Sequence, residues 1–103
     1  MSHYNFIFGY QAAGSSQSVK TVKNKEVTYT GYQVGYNSTI NVVGNTFYGF
    51  KSGFETEGDS TQDSGSYNTF IGSQTGYMNE HGHHNTSLGL MAGYYLTNGN
   101  YNT

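Results

Sequence analysis

One phrase recurs five times along this chain, and no other feature restricts its fold so strongly. The phrase reads Asn-Thr-aromatic-apolar-Gly-x-Gln-small-Gly-aromatic. Its copies open at Asn5, Thr28 (with Val27 where the Asn belongs), Asn45, Asn68 and Asn85, and a sixth opens at Asn102-Thr103. The first Gly of each copy falls at Gly9, Gly31, Gly49, Gly72 and Gly89, at intervals of 22, 18, 23 and 17 residues. Self-similarity at roughly 20 residues marks stacked coils rather than an enzyme domain built around one focal pocket.

Numbered from its Asn, each phrase carries a period-two series at positions 4, 6, 8 and 10, for example Tyr48, Phe50, Ser52 and Phe54, or Leu88, Leu90, Ala92 and Tyr94. Such alternation predicts a strand with these residues on one buried face. Positions 5, 7 and 9 of the opposite face read Gly-Gln-Ala, Gly-Gln-Gly, Gly-Lys-Gly, Gly-Gln-Gly and Gly-Met-Gly, with Gly at position 5 in all five copies and at position 9 in four. Repeated Gly weakens a strand unless something uses the space, and the expected uses are a tight bend or a close approach by another backbone. The connectors at 14–26, 37–44, 55–67, 78–84 and 95–101 vary in length and are rich in Gly, Asn and Asp, as loops projecting from a regular stack should be. The expected fold is all-β and without helix: one domain over residues 1–103, a β-roll or β-solenoid of about five coils, with repeats near 5–26, 27–44, 45–67, 68–84 and 85–103.

Composition says what must supplement this core. Ile, Leu, Val and Phe together make up only 18 of 103 residues, while there are 11 Tyr, 15 Gly and no Cys, and the net charge is −2. Tyrosine must provide much of the burial, and because disulfides are ruled out, association with other copies is the expected supplement. The opening Met-Ser-His-Tyr-Asn-Phe has no charged, apolar or cleavage region, so no secretory signal is expected in this chain. No apolar run approaches the roughly 20 residues of a membrane helix.

The Asn-Thr-Phe-Ile-Gly and Asn-Thr-Ser-Leu-Gly phrases, followed by Gln or Met, a small residue, Gly and an aromatic, resemble the repeats of YadA-like trimeric adhesin heads. They are still more similar to the Asn-Thr-x-x-Gly-Tyr-Gln-Ala-Gly repeats of phage tail fibres and related surface proteins. The resemblance spans residues 5–103 and implies a trimeric, left-handed, parallel β-roll serving as stalk or head of an attachment fibre. Here the connectors are longer and the tyrosine content is higher than in such heads.

Few residues suggest chemistry. His81-Gly82-His83-His84 contains a His-x-His pair, which puts two imidazoles on one side of an extended segment. Loop histidines are more often simply solvated, so no metal is expected, and His81 and His83 are the ligands that would serve if one bound. His3 reads as incidental. Glu55, Glu57, Asp59 and Asp63 gather in one connector without the spacing of a known calcium loop, and read as a solvated acidic loop. Lys20, Lys23 and Lys25 are three of four basic residues, too few for a nucleic-acid surface. Tyr67, Tyr95 and Tyr101 are candidate sugar-stacking residues, although packing between coils or subunits is the favoured reading of them. No Gly-x-Ser-x-Gly, phosphate loop or His-Glu-x-x-His occurs, so neither catalysis nor a cofactor is expected.

The expected function is structural: a segment of an extracellular or virion attachment fibre, homo-oligomeric, displaying loops to a host surface or its glycans. The alternatives are a subunit of a self-polymerising filament in which coils stack head to tail, and a small glycan-binding lectin.

Overall fold

The structure is a computed structural model that describes residues 4–14, 24–37, 42–58 and 63–103. Each phrase contributes one three-residue strand to a single parallel sheet: β1 (Phe6–Phe8), β3 (Thr28–Thr30), β5 (Thr46–Tyr48), β6 (Thr69–Ile71) and β7 (Thr86–Leu88), in that spatial order. Two connector strands, β2 (Asn24–Lys25) and β4 (Val42–Val43), pair in parallel as a second sheet. The fold is the all-β, parallel β-solenoid that the repeat predicts. The register is exact in phrase number: Ile7, Tyr29, Phe47, Phe70 and Ser87 stack on one another, as do Phe8, Thr30, Tyr48, Ile71 and Leu88.

Strand geometry stops at position 4, yet coil-to-coil hydrogen bonding continues. At position 5 the N–H of Gly49 donates to Thr30 O of the preceding phrase (3.0 Å) and that of Gly72 to Tyr48 O (2.8 Å). At position 9 the direction reverses, Gly53 N–H donating to Thr75 O (2.8 Å) and Gly76 N–H to Ala92 O (2.9 Å) of the following phrase. Positive φ at positions 5, 7 and 9, seen at Gly49 (134°), Lys51 (56°) and Gly53 (61°), lets the chain bend while keeping these bonds.

Here the empty Gly face finds its use. A Cβ on Gly49 would stand 2.5 Å from the carbonyl oxygen of Gly72, and one on Gly72 would stand 2.6 Å from that of Gly89. At position 9 the space is taken by the ring of the buried aromatic of the same phrase, Phe47 against Gly53 and Phe70 against Gly76. The close backbone approach expected from the sequence is the reason for the first glycine, and ring packing for the second.

The recurrent Asn has a role the sequence reading did not assign. Asn45 Oδ1 accepts the backbone N–H of Asn68 (2.8 Å), Asn68 Oδ1 that of Asn85 (3.0 Å), and Asn85 Oδ1 that of Asn102 (2.9 Å). Each amide also donates from Nδ2 to a glycine carbonyl in the connector that ends its own repeat: Asn45 to Gly65 (2.8 Å), Asn68 to Gly82 (3.0 Å) and Asn85 to Gly99 (2.8 Å). Asn45, Asn68 and Asn85 are fully buried. Their amides close the backbone groups that the turn before each strand would otherwise leave unpaired. Among the described residues no buried side-chain polar atom lacks a partner.

The predicted buried face requires correction. Position 3 points inward, with Tyr29, Phe47 and Phe70 at 0–1% exposure, while position 4 points outward, with Phe8 at 68%, Tyr48 at 60% and Leu88 at 75%. Position 6 is also exposed at Tyr10, Tyr32, Phe50 and Leu90, whereas position 8 is buried at Ala12, Val34, Ser52 and Thr75. The bend at the position-5 Gly shifts the phase, so the alternation does not run unbroken from 4 to 10. The core therefore consists of Ala13, Val27, Tyr29, Val34, Phe47 and Phe70, with Ile7 and Leu96 against it.

Tyrosine compensates for the scarce aliphatics by stacking at the strand spacing. Tyr29, Phe47 and Phe70 form one column with centroids 4.9 and 5.0 Å apart. Tyr36, Phe54, Tyr77 and Tyr94 form another at 5.0, 4.8 and 4.9 Å. Lys51 Nζ lies 5.2 Å from the Phe50 ring centre and 5.7 Å from that of Phe54, a cation held over two rings. Burial in its column, with Tyr94 and Glu55 nearby, raises the pKa of the Tyr77 phenol above its ordinary value. A raised phenol pKa means that the folded state keeps its proton longer than the unfolded chain. The stability it contributes is full below the ordinary tyrosine range and is lost as pH rises through that range to the folded pKa. Melting curves between pH 8 and about 11 should therefore fall less steeply for Tyr77→Phe than for the parent chain.

Candidate functional site

Two features outside the core present chemistry to solvent. The first is the outward face of the five-stranded sheet. Position 2 carries Phe6, Thr28, Thr46, Thr69 and Thr86, and position 4 carries Phe8, Thr30, Tyr48, Ile71 and Leu88. Beyond each Gly, the position-6 residues Tyr10, Tyr32 and Phe50 stack at 5.5 and 5.3 Å. None of these residues carries a charge, and Phe6, Phe8, Tyr10, Tyr48, Leu88 and Leu90 are all more than half exposed. Aromatic and aliphatic side chains thus alternate on this face with five threonines, Thr28, Thr30, Thr46, Thr69 and Thr86.

The second feature lies where the connectors stack. The residue before each phrase adopts positive φ, at Tyr67 (59°), His84 (58°) and Tyr101 (59°), which turns the side chain out of the coil. These three rings form a column: His84 lies 5.0 Å from Tyr67 and 4.7 Å from Tyr101. His83 packs edge-on against Tyr101 at 5.4 Å. Its Nδ1 lies 3.0 Å from that of His84. One ligand atom from each of Asp63, His83 and His84 lies within 4.8 Å of the other two.

The sequence candidates are thus redistributed. His81 does not join His83: its Nδ1 lies 3.4 Å from Ser64 Oγ and 3.3 Å from Glu57 O, so it braces the neighbouring connector. Of the acidic residues, Glu55 accepts from Asn37 Nδ2 (2.9 Å), Asp63 joins the histidines, and Asp59 lies outside the described residues. Lys20, Lys23 and His3 also lie outside them, as does the side chain of Lys25. Tyr67 and Tyr101 come together around His84, whereas Tyr95 packs edge-on against Tyr94 at 4.6 Å. All three tyrosines remain exposed. Asp63 was missed as a partner of His83 and His84 because it meets them only when two connectors of different phrases are stacked; His84, next to His83 in the same cluster, was noted but not named as a ligand. The alignment of connectors that follows from aligning the phrases was the available signal.

Fold and surface together define a parallel β-solenoid whose outward sheet face, among the described residues, is uncharged and made of threonine, aromatic and aliphatic side chains. Comparison with family models, with curated proteins and with solved structures yields no significant match. No helix among the described residues is long and apolar enough to cross a membrane.

Proposed function

We propose that this chain is a structural and interaction protein, a segment of an extracellular or virion attachment fibre in which copies associate through the outward sheet face. The observation that carries this reading is the uncharged column Phe8, Thr30, Tyr48, Ile71 and Leu88, exposed at every member but the half-buried Thr30, beside the Tyr10, Tyr32 and Phe50 stack. Covering such a face is favourable by roughly 25 cal/mol per Å² of apolar area. The occupant that repeats at the same strand spacing, with the same uncharged columns, is another copy of this chain. The repeat's resemblance to trimeric adhesin heads favours three copies in a left-handed roll. Connectors on the far side of each roll would then be displayed in several copies, so that weak contacts to a host surface or its glycans add up to firm attachment.

Light scattering on the purified chain should give the mass of three copies, and Tyr48→Ser combined with Leu88→Ser should reduce it to one while leaving the circular dichroism spectrum β-rich. A parent chain that stays monomeric at tens of micromolar would overturn the reading. Long uniform fibres by negative-stain electron microscopy would instead support head-to-tail stacking of coils. If a discrete oligomer is obtained, a glycan array with the Tyr67→Ala and Tyr95→Ala variants tests the displayed loops.

A further inference from the structure

We infer that Asp63, His83 and His84 form a binding site for a divalent transition-metal ion, with zinc the best fit. Two imidazoles and one carboxylate are a donor set that zinc uses with a fourth position left to water or another ligand, and that magnesium and calcium, which prefer oxygen alone, do not favour. A tetrahedral zinc ion lies about 2.0–2.1 Å from such donors, which puts them roughly 3.3 Å apart. The His83 and His84 Nδ1 atoms are already at 3.0 Å. The three-residue group spans no more than 4.8 Å, a gap that side-chain rotation closes.

The surroundings hold the ligands in place. The His84 ring is clasped between Tyr67 and Tyr101, and the His83 ring rests on the edge of Tyr101. The backbone of the pair is fixed from both sides: His84 N–H donates to Ser66 O (3.1 Å), His83 N–H to Asn100 Oδ1 (3.1 Å), and His83 O accepts from Tyr101 N–H (3.0 Å). Asp63 sits at positive φ (64°) in a turn closed by Ser66 N–H donating to Asp63 O (2.9 Å). Two neighbouring nitrogens facing each other at hydrogen-bond distance can share only one proton, whereas a cation between them engages both lone pairs. All three residues are half-buried, open enough to admit an ion. Bound metal would pin the 63–65 turn to the 83–84 segment of the next coil, independently of how copies assemble.

The test is isothermal titration of tag-free, chelator-stripped protein with zinc chloride at pH 7.5. Saturable uptake of one ion per chain is expected, with displacement by nickel but not by magnesium or calcium. Cobalt should give the visible absorption of a low-coordinate site with nitrogen ligands. Asp63→Asn and His83→Gln should each weaken zinc binding by about a hundredfold or more, beyond the ten- to hundredfold lost with groups that only orient a ligand. His81→Gln should leave uptake unchanged. Circular dichroism checks each variant's fold, and Asp63→Asn decides if His83→Gln does not fold. No saturable uptake by the folded parent, uptake unaffected in Asp63→Asn, or uptake lost in a folded His81→Gln or His3→Ala variant would each overturn the site.

Discussion

Gly49→Ala should destabilise the chain by about 4 kcal/mol, a large share of the roughly 5–15 kcal/mol available to a small domain. Two costs combine. The residue holds φ at 134°, which a side chain with a Cβ avoids, and the new methyl would stand 2.5 Å from the Gly72 carbonyl oxygen and 2.8 Å from its carbon. That neighbour is backbone, and it cannot swing aside as a flexible side chain would. Relief requires the coils to part, which breaks the rung from Gly72 N–H to Tyr48 O. Gly89→Ala is the internal control. It has a similar φ of 122°, but its Cβ would meet nothing within 4 Å, so only the backbone strain of about 1–3 kcal/mol remains. Urea unfolding at one fixed protein concentration compares the two. Equal losses would mean that the coils do not approach as closely as described.

The second large effect belongs to Asn68. Asn68→Ala removes the acceptor of the Asn85 N–H and one of two donors to Gly82 O, which retains Asn79 Nδ2 at 3.0 Å. A buried N–H left unpaired costs about 1–3 kcal/mol, and with the lost amide bond and the void the expected total is about 3 kcal/mol. Asn68→Asp separates the two halves of the amide. It keeps an acceptor for Asn85 but buries a carboxylate against the Gly82 carbonyl, so its folded pKa should be raised by burial and by that oxygen. A raised carboxyl pKa gives stability that is present at low pH and lost as pH rises through the ordinary carboxylate range. Thermal melts of Asn68→Asp should therefore approach those of the parent near pH 4 and fall well below them at pH 7. A flat pH profile would show that the side chain at 68 is solvated and that the ladder is not a buried one.

How much of this was legible in the residues themselves differs from element to element. The phrase spacing was enough to predict coils stacked in phrase register, because like residues repeat at like positions. The Gly at position 5 announced a tight bend or a close backbone contact, and Gly49 makes both. The buried face was misread for a physical reason: Phe47 and Tyr48 are both aromatic, as Phe70 and Ile71 are both apolar, so composition could not choose between adjacent positions. The choice is made by the bend at Gly49, and that bend appears in the sequence only as a glycine. The Asn was conspicuous in the pattern, but its partners are backbone atoms in another coil, and no side chain in the sequence pairs with it. The histidine cluster was half legible. His81-Gly82-His83-His84 drew notice, yet the anchoring of His81 on Ser64 and Glu57 and the arrival of Asp63 depend on loops of different phrases lying side by side.

The Asn ladder also bears on how proteins of this kind change over generations. The Asn45 and Asn68 amides each bond to the N–H of the next Asn and to the carbonyl of a Gly just before it, so each of these rungs is chemically complete within two consecutive phrases. Duplicating or deleting one whole phrase therefore leaves the remaining rungs, ring columns and glycine contacts as they were, and changes only the height of the stack. Recombination between similar phrases could thus lengthen or shorten the solenoid without any new packing having to be invented.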